Sequence, residues 1–425
     1  MVRFSVGLRL DKQMSILTNA NNLIITGDFS RETLLRSCAA LHNLQTRDGY
    51  RSVHVDLRGV TKCFATEMLP FATHCRDLLH AGVDTVLELP DDPLLARLFK
   101  NSNWAYLIDP QQYEKSSYVS NKHIPAAIYT SADTHYQAVN EIVDKLLGLL
   151  EGFTRDQLAA LEWAVNEITD NVLNHASSAV GGIVQLTTKS KSNVVEFVVC
   201  DAGVGIPRTL REAHKDLTSD VAALDRAIRE GVTRNRSTNM GNGLFGSFRL
   251  AQLSDGYFSI HSGYARLDFN QKDGLRVSQL ASPYSGTAIV CGINTAKPDI
   301  LAEALSFRGT KYVPSNSYVD RLIENSGASV MLKEISQSFG SRDAAKPVRV
   351  RLENLLAASP AQIEVRLDDV ALISSSFADE VFGKLFAQLG PVAFMSRVKI
   401  SGANTIVSRL IDRAITQRLV LGDKP

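Results

Sequence analysis

The chain has 425 residues, 44% of them hydrophobic and 21% charged, a length that calls for two to four globular domains rather than one core. With 46 basic and 45 acidic residues the formal net charge is +1, which excludes a global field for drawing in nucleic acid or an anionic membrane. The five cysteines (Cys38, Cys63, Cys75, Cys200, Cys291) are odd in number and lack Cys-x-x-Cys spacing, and no apolar stretch has membrane length, so the sequence reads as a soluble cytoplasmic protein with reduced thiols.

Residues 1–110 alternate strand and helix signals. A short strand at Leu23–Ile25 precedes a helix that Ser30 can cap and that runs to about Leu44; Ser52–Leu57 alternates with period two. A helix at about Thr66–His80, a strand at Thr85–Leu89 and a helix opened by Pro93 follow, predicting a small sheet with helices packed on it. Residues 111–133 are polar and contain Pro125, and read as a connector.

The next domain spans 134–297. After a helix at Tyr136–Leu150, the residues Leu158, Leu161, Val165, Ile168 and Val172 recur at helical spacing and predict a long helix over Phe153–Ala176. Glu167, Asn171 and His175 stand at i, i+4 and i+8, so a carboxylate, an amide and an imidazole share one side of it. His175 is either a member of this row or a packing histidine. A hairpin of Ile183–Thr188 and Val194–Cys200 delivers Asp201-Ala202-Gly203-Val204-Gly205, a fixed acceptor followed by backbone that a flat ligand can approach closely. A helical segment at Ala222–Glu230 leads to Thr233, Arg234 and Arg236. Gly241-Asn242-Gly243 then opens another helix, and free N–H groups at such a start suit phosphate oxygens. A strand at Thr287–Ile293 closes the domain. No Gly-Lys-Ser/Thr sequence of a Walker-type loop is present.

Residues 298–326 form a second connector, and 327–425 repeat the first layout: helix Asp343–Leu356, strand Ile363–Leu367, helix Phe377–Leu389, strand Val398–Ser401 and a helix from Thr405 to about Leu419. The two ends overlay, with Val55-x-Leu57-x-x-Val60 matching Val365-x-Leu367-x-x-Val370 and a hydroxyl, Thr66 or Ser376, six residues beyond each final valine.

Order and spacing of the central elements resemble the GHKL ATP-binding superfamily of gyrase, heat-shock chaperone, histidine-kinase and MutL type. Glu167-x-x-x-Asn171 looks like its N box, Asp201-x-Gly203-x-Gly205 and Gly241-x-Gly243 like its glycine boxes, and Gly286-Thr287 like its terminal element; NEITDNVLNHA is similar to anti-sigma factor serine kinases. Both ends resemble STAS domains, in VDLRGVTKCFATEM and in VRLDDVALISSSFADEVF. The resemblance implies an α/β protein of α+β sandwich type, a Bergerat-fold domain between two small STAS-like domains, with ATP and Mg2+ as cofactors. It makes Asp201 the acceptor for the adenine amino group, with Thr287 supporting the same ring edge and Gly203 and Gly205 giving close approach. It makes Asn171 the magnesium ligand and Glu167 the catalytic base, and it puts Thr233, Arg234, Arg236, Gly241, Asn242 and Gly243 around the phosphates. In STAS antagonists a Ser or Thr at the start of the second helix accepts phosphate, which makes Thr66, Ser375 and Ser376 candidate phosphoacceptors; helix capping is the competing reading. The implied function is an ATP-dependent regulator that hydrolyses ATP or phosphorylates a Ser/Thr of a STAS-type protein partner. The alternatives are a clamp ATPase that dimerises on nucleotide, as gyrase and MutL relatives do on nucleic acid, and a nucleotide-gated binding module without turnover.

Overall fold

The computed structural model describes residues 15–116, 118, 123–189, 191–229, 243–296, 303–307, 310–311, 318, 329–336 and 338–421. They form a mixed α/β fold in two compact units, Met1–Ala138 with Glu167–Asn294, and Val139–Asn166 with Thr295–Pro425. No described helix is long and apolar enough to cross a membrane.

The first unit holds two sheets. In the first, β1 (Ser15–Asn19) pairs antiparallel with β2 (Asn22–Asp28), and β2, β3 (Ser52–Asp56) and β5 (Asp84–Glu88) are parallel neighbours, with β4 (Val60–Lys62) pairing β2. Ser30 caps α1 (Arg31–Thr46) in a capping box with Thr33, as the sequence predicts. Crossover helices α1 and α2 (Ala65–His80) are followed by α3 (Pro93–Asn101), with proline in its first turn, and the short α4 (Trp104–Ile108).

The second sheet is antiparallel throughout, in the order β6 (His123–Tyr129), β7 (Gly182–Lys189), β8 (Val194–Asp201), β10 (Gly274–Asn294), β9 (Tyr257–Asn270). Two of these strands depart from the sequence reading. Part of the predicted connector is β6; Pro125 cannot donate to a ladder, and the register slips there, between Ile124 and Ala127. The closing strand is the second arm of a long hairpin whose first arm, β9, was not foreseen.

The central strand β8 is buried on both faces along its whole length. Val198 and Cys200 of β8, Ile183 of β7, and Ala288 and Val290 of β10 share a core with Cys38, Met68, Phe71 and Cys75 of α1 and α2, so those helices cover the back of the sheet. Trp104 Nε1 donates to Gln185 Oε1 (2.8 Å) across the same contact. The front faces the last turn of α6 (Arg155–Asn171), from Glu167 on, and α9 (Gly243–Leu253): Tyr129 Oη donates to the Thr169 carbonyl (3.1 Å), and the Phe248 and Phe258 rings meet edge to face.

In the second unit β13 (Ser329–Met331), β14 (Ile363–Arg366) and β15 (Val398–Ser401) are parallel, with a core of Val365, Phe377, Phe382 and Val407 among others. Its helix Arg342–Ala358, capped by Ser341, holds segments of α5 (Ala132–Leu149) and of the turn after it: Arg351 pairs with Asp144 (2.9 Å), and the Asn354 amide donates to the carbonyls of Leu147 and Leu150 (2.9 and 2.7 Å). The predicted helix Phe377–Leu389 begins earlier, at Ser375, and widens into a π turn at Asp379–Gly383.

Candidate functional site

One row of residues crosses the whole second sheet. Tyr129, Gly182, Asp201, Thr287 and Ser262 are consecutive cross-strand partners from β6 to β9. Directly opposed residues share a face, so all five belong to the front.

Asp201 is the last residue of β8 and only 2% exposed. One carboxylate oxygen accepts from the Gly203 N–H (2.7 Å). Burial pushes its carboxyl up to about 7, and hydrogen bonds from Gly203 and Thr287 hold it from rising further. Beside it Ser262 is fully buried and fully used. Its hydroxyl accepts from the Ile206 N–H (2.9 Å), donates to the Gly286 carbonyl (2.8 Å) and lies 3.2 Å from Thr287 Oγ1. One serine therefore ties the Asp-x-Gly-x-Gly loop to the Gly-Thr element. It escaped the sequence reading because β9 did.

The glycines are set by close approach. A Cβ on Gly203 would collide with the Ala176 carbonyl oxygen, and one on Gly286 with the Asp201 carbonyl oxygen. Gly205, at φ +78°, caps α7 (Ile206–Ala213). The predicted long helix ends in two steps: α6 stops at Asn171, a π turn runs over Val172–Ala176, and Ser177 is left-handed (φ 51°). The Ala176 carbonyl at the end of that turn accepts from the Val204 N–H (2.8 Å), fastening the helix to the loop after Asp201. A π turn of this kind often marks a functional helix end.

Glu167 lies one turn before Asn171, half-buried. Burial, with the neighbouring Asp170 charge adding to it, pushes its carboxyl up to about 7. Gly243, the first residue of α9, sits so close that a Cβ there would collide with Glu167 Oε2. The structure thus brings Gly243 against Glu167, and Gly203 and Thr287 against Asp201 with Gly205 just beyond, the two groups being joined through the helix end from Asn171 to Ala176. The half-buried His175 lies in the π turn. The expectations for Thr233, Arg234, Arg236, Gly241 and Asn242 fall outside the described residues.

The candidate phosphoacceptors separate. The N-cap of α2 is Phe64, with no side-chain cap bond, so Thr66 is not a cap; its hydroxyl donates to Glu67 Oε2 (2.5 Å), on a helix packed against the back of the second sheet. In the C-terminal unit Ser374 does the capping: its Oγ accepts from the Phe377 N–H (3.0 Å) and lies 3.0 Å from Ser376 Oγ. Ser375 is exposed.

Residues 129–250 match the family described as the histidine kinase-like ATPase domain, and residues 344–407 match the STAS-like domain of unknown function. No curated protein matches the chain. The chain carries a GHKL-type ATPase domain and, toward its C-terminus, a STAS-like domain, a pairing that supports an ATP-binding regulatory protein.

Proposed function

We propose that the front-face site binds ATP with magnesium, and that the protein uses it to phosphorylate a Ser/Thr of a STAS-type partner or to hydrolyse it under that partner's control. The observation that carries this reading is Asp201: a carboxylate buried in the sheet, met by neutral donors, in one row with Thr287 and Ser262. Among the described residues such a group has no compensating cation, and it is stabilised by a further N–H donor, which the amino group of adenine supplies and the oxygen of guanine does not.

The residues fit the group. Gly203, Gly205 and Gly286 keep the surface beside Asp201 free of side chains, and the amide oxygen of Asn171 is a hard donor of the kind magnesium takes alongside waters and phosphates. When bound, ATP with magnesium supplies an electrophilic γ-phosphoryl group whose charge the metal screens. Glu167, with its carboxyl near 7, takes the proton of the attacking water or hydroxyl most effectively near neutral pH.

The acceptor hydroxyl belongs to another molecule or to the C-terminal module. Thr66 rides on a helix that covers the opposite face of the sheet, and transfer to it within one chain requires that helix to leave. The N-terminal module is read as a second STAS-like domain on the overlay of Val55, Leu57 and Val60 with Val365, Leu367 and Val370, the strands β3 and β14 both being parallel members of their sheets. An intracellular setting fits five free cysteines, all buried.

The test compares wild type with Glu167→Ala by calorimetry and by labelling with γ-labelled ATP. The variant is expected to keep its ADP affinity and to lose turnover by roughly 10²–10⁴-fold. Absence of heat for wild type with both ADP and Mg-ATP would end the nucleotide reading; undiminished turnover in the variant would remove Glu167 from the chemistry. Label on Ser375 of the chain or on an added STAS protein identifies a kinase, and phosphate release without protein label an ATPase.

A further inference from the structure

Tyr129 stands at the outer end of the row that contains Asp201, and it reaches the helix that carries Glu167 and Asn171. Its side chain is fully buried, and the hydroxyl donates to the carbonyl of Thr169 (3.1 Å). Thr169 lies midway between Glu167 and Asn171. Two residues in either direction turn a helix by about 200°, so Thr169 is gripped from the sheet side while the other two point away from that grip. His135, in the first turns of α5, holds the same residue: its Nε2 lies 2.7 Å from Thr169 Oγ1, and its ring is tilted against the Tyr129 ring at 5.5 Å between centroids.

The backbone around Tyr129 is shaped for this reach. A Cβ on Gly182, its partner across the β6–β7 ladder, would collide with the ring and hydroxyl of Tyr129; a Cβ on Gly181 (φ +70°) would collide with the Tyr129 carbonyl oxygen. Removing the side chain at Gly182 lets the phenol lie across β7 toward α6. The contact falls at the last α-helical turn, just before the helix widens at Val172. A helix that changes its hydrogen-bond spacing there has a weakened ladder in the preceding turn, and a donor from outside fixes both its rotation and its height above the sheet.

We propose that Tyr129 and His135 are positioning residues for the metal and phosphate end of the site: they set the rotation of α6 relative to the Asp201 row, and through it the placement of Asn171 and Glu167. The inference rests on the magnesium–ATP reading given above. It separates the two ends of the site, since the purine end is built by Asp201, Thr287 and Ser262 without Tyr129's hydroxyl.

Tyr129→Phe keeps the ring over Gly182 and deletes the donor. Calorimetry on the full chain with ADP in chelator, ATP in chelator and ATP with magnesium reads both ends of the site. Tyr129→Phe is expected to bind ADP without metal within about twofold of wild type, while the gain in ATP affinity on adding magnesium falls by about tenfold. A purely structural role lowers both affinities together or leaves both unchanged, and either result overturns the proposal. Should Tyr129→Phe fail to fold, His135→Leu and Thr169→Val, which remove the second hold on the same turn, are judged by the same selective loss. Wild type that binds no adenine nucleotide sinks the functional reading itself; wild type that binds, with variants showing the full magnesium gain, sinks only the positioning role.

Discussion

Strand β8 carries two buried carboxylates, Glu196 and Asp201, each only 2% exposed and on opposite faces of the same sheet. On the back, Glu196 accepts from Lys189 Nζ (2.7 Å) and from the hydroxyl of Tyr257, whose ring crosses Gly292, where a Cβ would collide with it. On the front, Asp201 meets the Gly203 N–H and Thr287, and among the described residues it forms no ion pair. Burial costs both groups solvation. Glu196 recovers it inside the fold, whereas Asp201 is left charged only at a cost that an arriving donor offsets. A buried acid with a cation beside it is a fastening; a buried acid without one is a candidate place for a ligand.

The sharpest way to break this contrast is Asp201→Asn. It should weaken ADP and ATP binding by on the order of 100-fold, the loss of a hydrogen bond to a charged acceptor in a buried place. The same variant should change the pH dependence of stability. Asp201 and Glu167 both have carboxyls pushed up to about 7, from ordinary values of 3.8 and 4.5. Between those values and about 7 the folded protein binds more protons than the unfolded chain, so stability falls as pH rises through that window and levels off above it. Asp201→Asn removes its share of the slope: thermal unfolding without ligand should find variant and wild type alike near pH 4, and the variant the more stable at pH 8, by on the order of 4 kcal/mol. A wild type without any such decline contradicts the burial argument.

On the other face, Glu196→Gln should act in the opposite sense. The Lys189 ammonium loses its partner and the Tyr257 hydroxyl its charged acceptor, and stability in denaturant should drop by about 2 kcal/mol. The figure is below that of a fully enclosed pair because the Lys189 side chain is 41% exposed. ADP affinity should stay within about twofold, the scatter of a distant independent site. A variant that keeps its stability and loses nucleotide would show that the two faces are not separate.

How far these features could be read from sequence follows from what each element presents to its surroundings. Helices α1, α2 and α3 announce themselves through Ser30, through the apolar spacing of ATEMLPFATHCRDLL, and through Pro93, all local signals. Asp201 is legible because its loop glycines answer to backbone contacts that only glycine permits. The back-face cover is encoded more obscurely: apart from Glu196 the run from Val194 to Cys200 is apolar on both alternations, the pattern of a strand buried on two sides, but it does not say which helices cover it. Strand β9 was hidden because Ser259, His261 and Ser262 are buried polar residues satisfied or enclosed only by the tertiary fold, and β6 because Pro125 masks a strand that tolerates it at a sheet edge. The capping reading of these hydroxyls fails for a related reason. Ser374 rather than Ser375 or Ser376 takes the Phe377 N–H, and at α2 the N-cap is Phe64, so the hydroxyl spacing that made the two ends look alike does not correspond to one local geometry.

The smallest effect lies in two serines of β9 that repeat the contrast. Ser262 faces front, where it joins Ile206, Gly286 and Thr287; Ser259 faces back, where it donates to Asp268 (3.1 Å), itself 3.4 Å from Arg31 of α1. Ser262→Ala removes the serine partner of the N–H that opens α7 and of the Gly286 carbonyl, and so loosens the loop after Asp201 from the Gly-Thr element. A loss of about 1 kcal/mol, roughly fivefold in ADP affinity, should appear beside a similar loss in stability. Ser259→Ala removes a neutral donor from an acid that keeps its arginines, Arg31 and Arg266, so its effect should be confined to stability and stay below 1 kcal/mol, with ADP affinity unmoved. Equal changes in nucleotide affinity for the two alanines would mean that the sheet transmits strain through its thickness and that its faces cannot be assigned separate tasks.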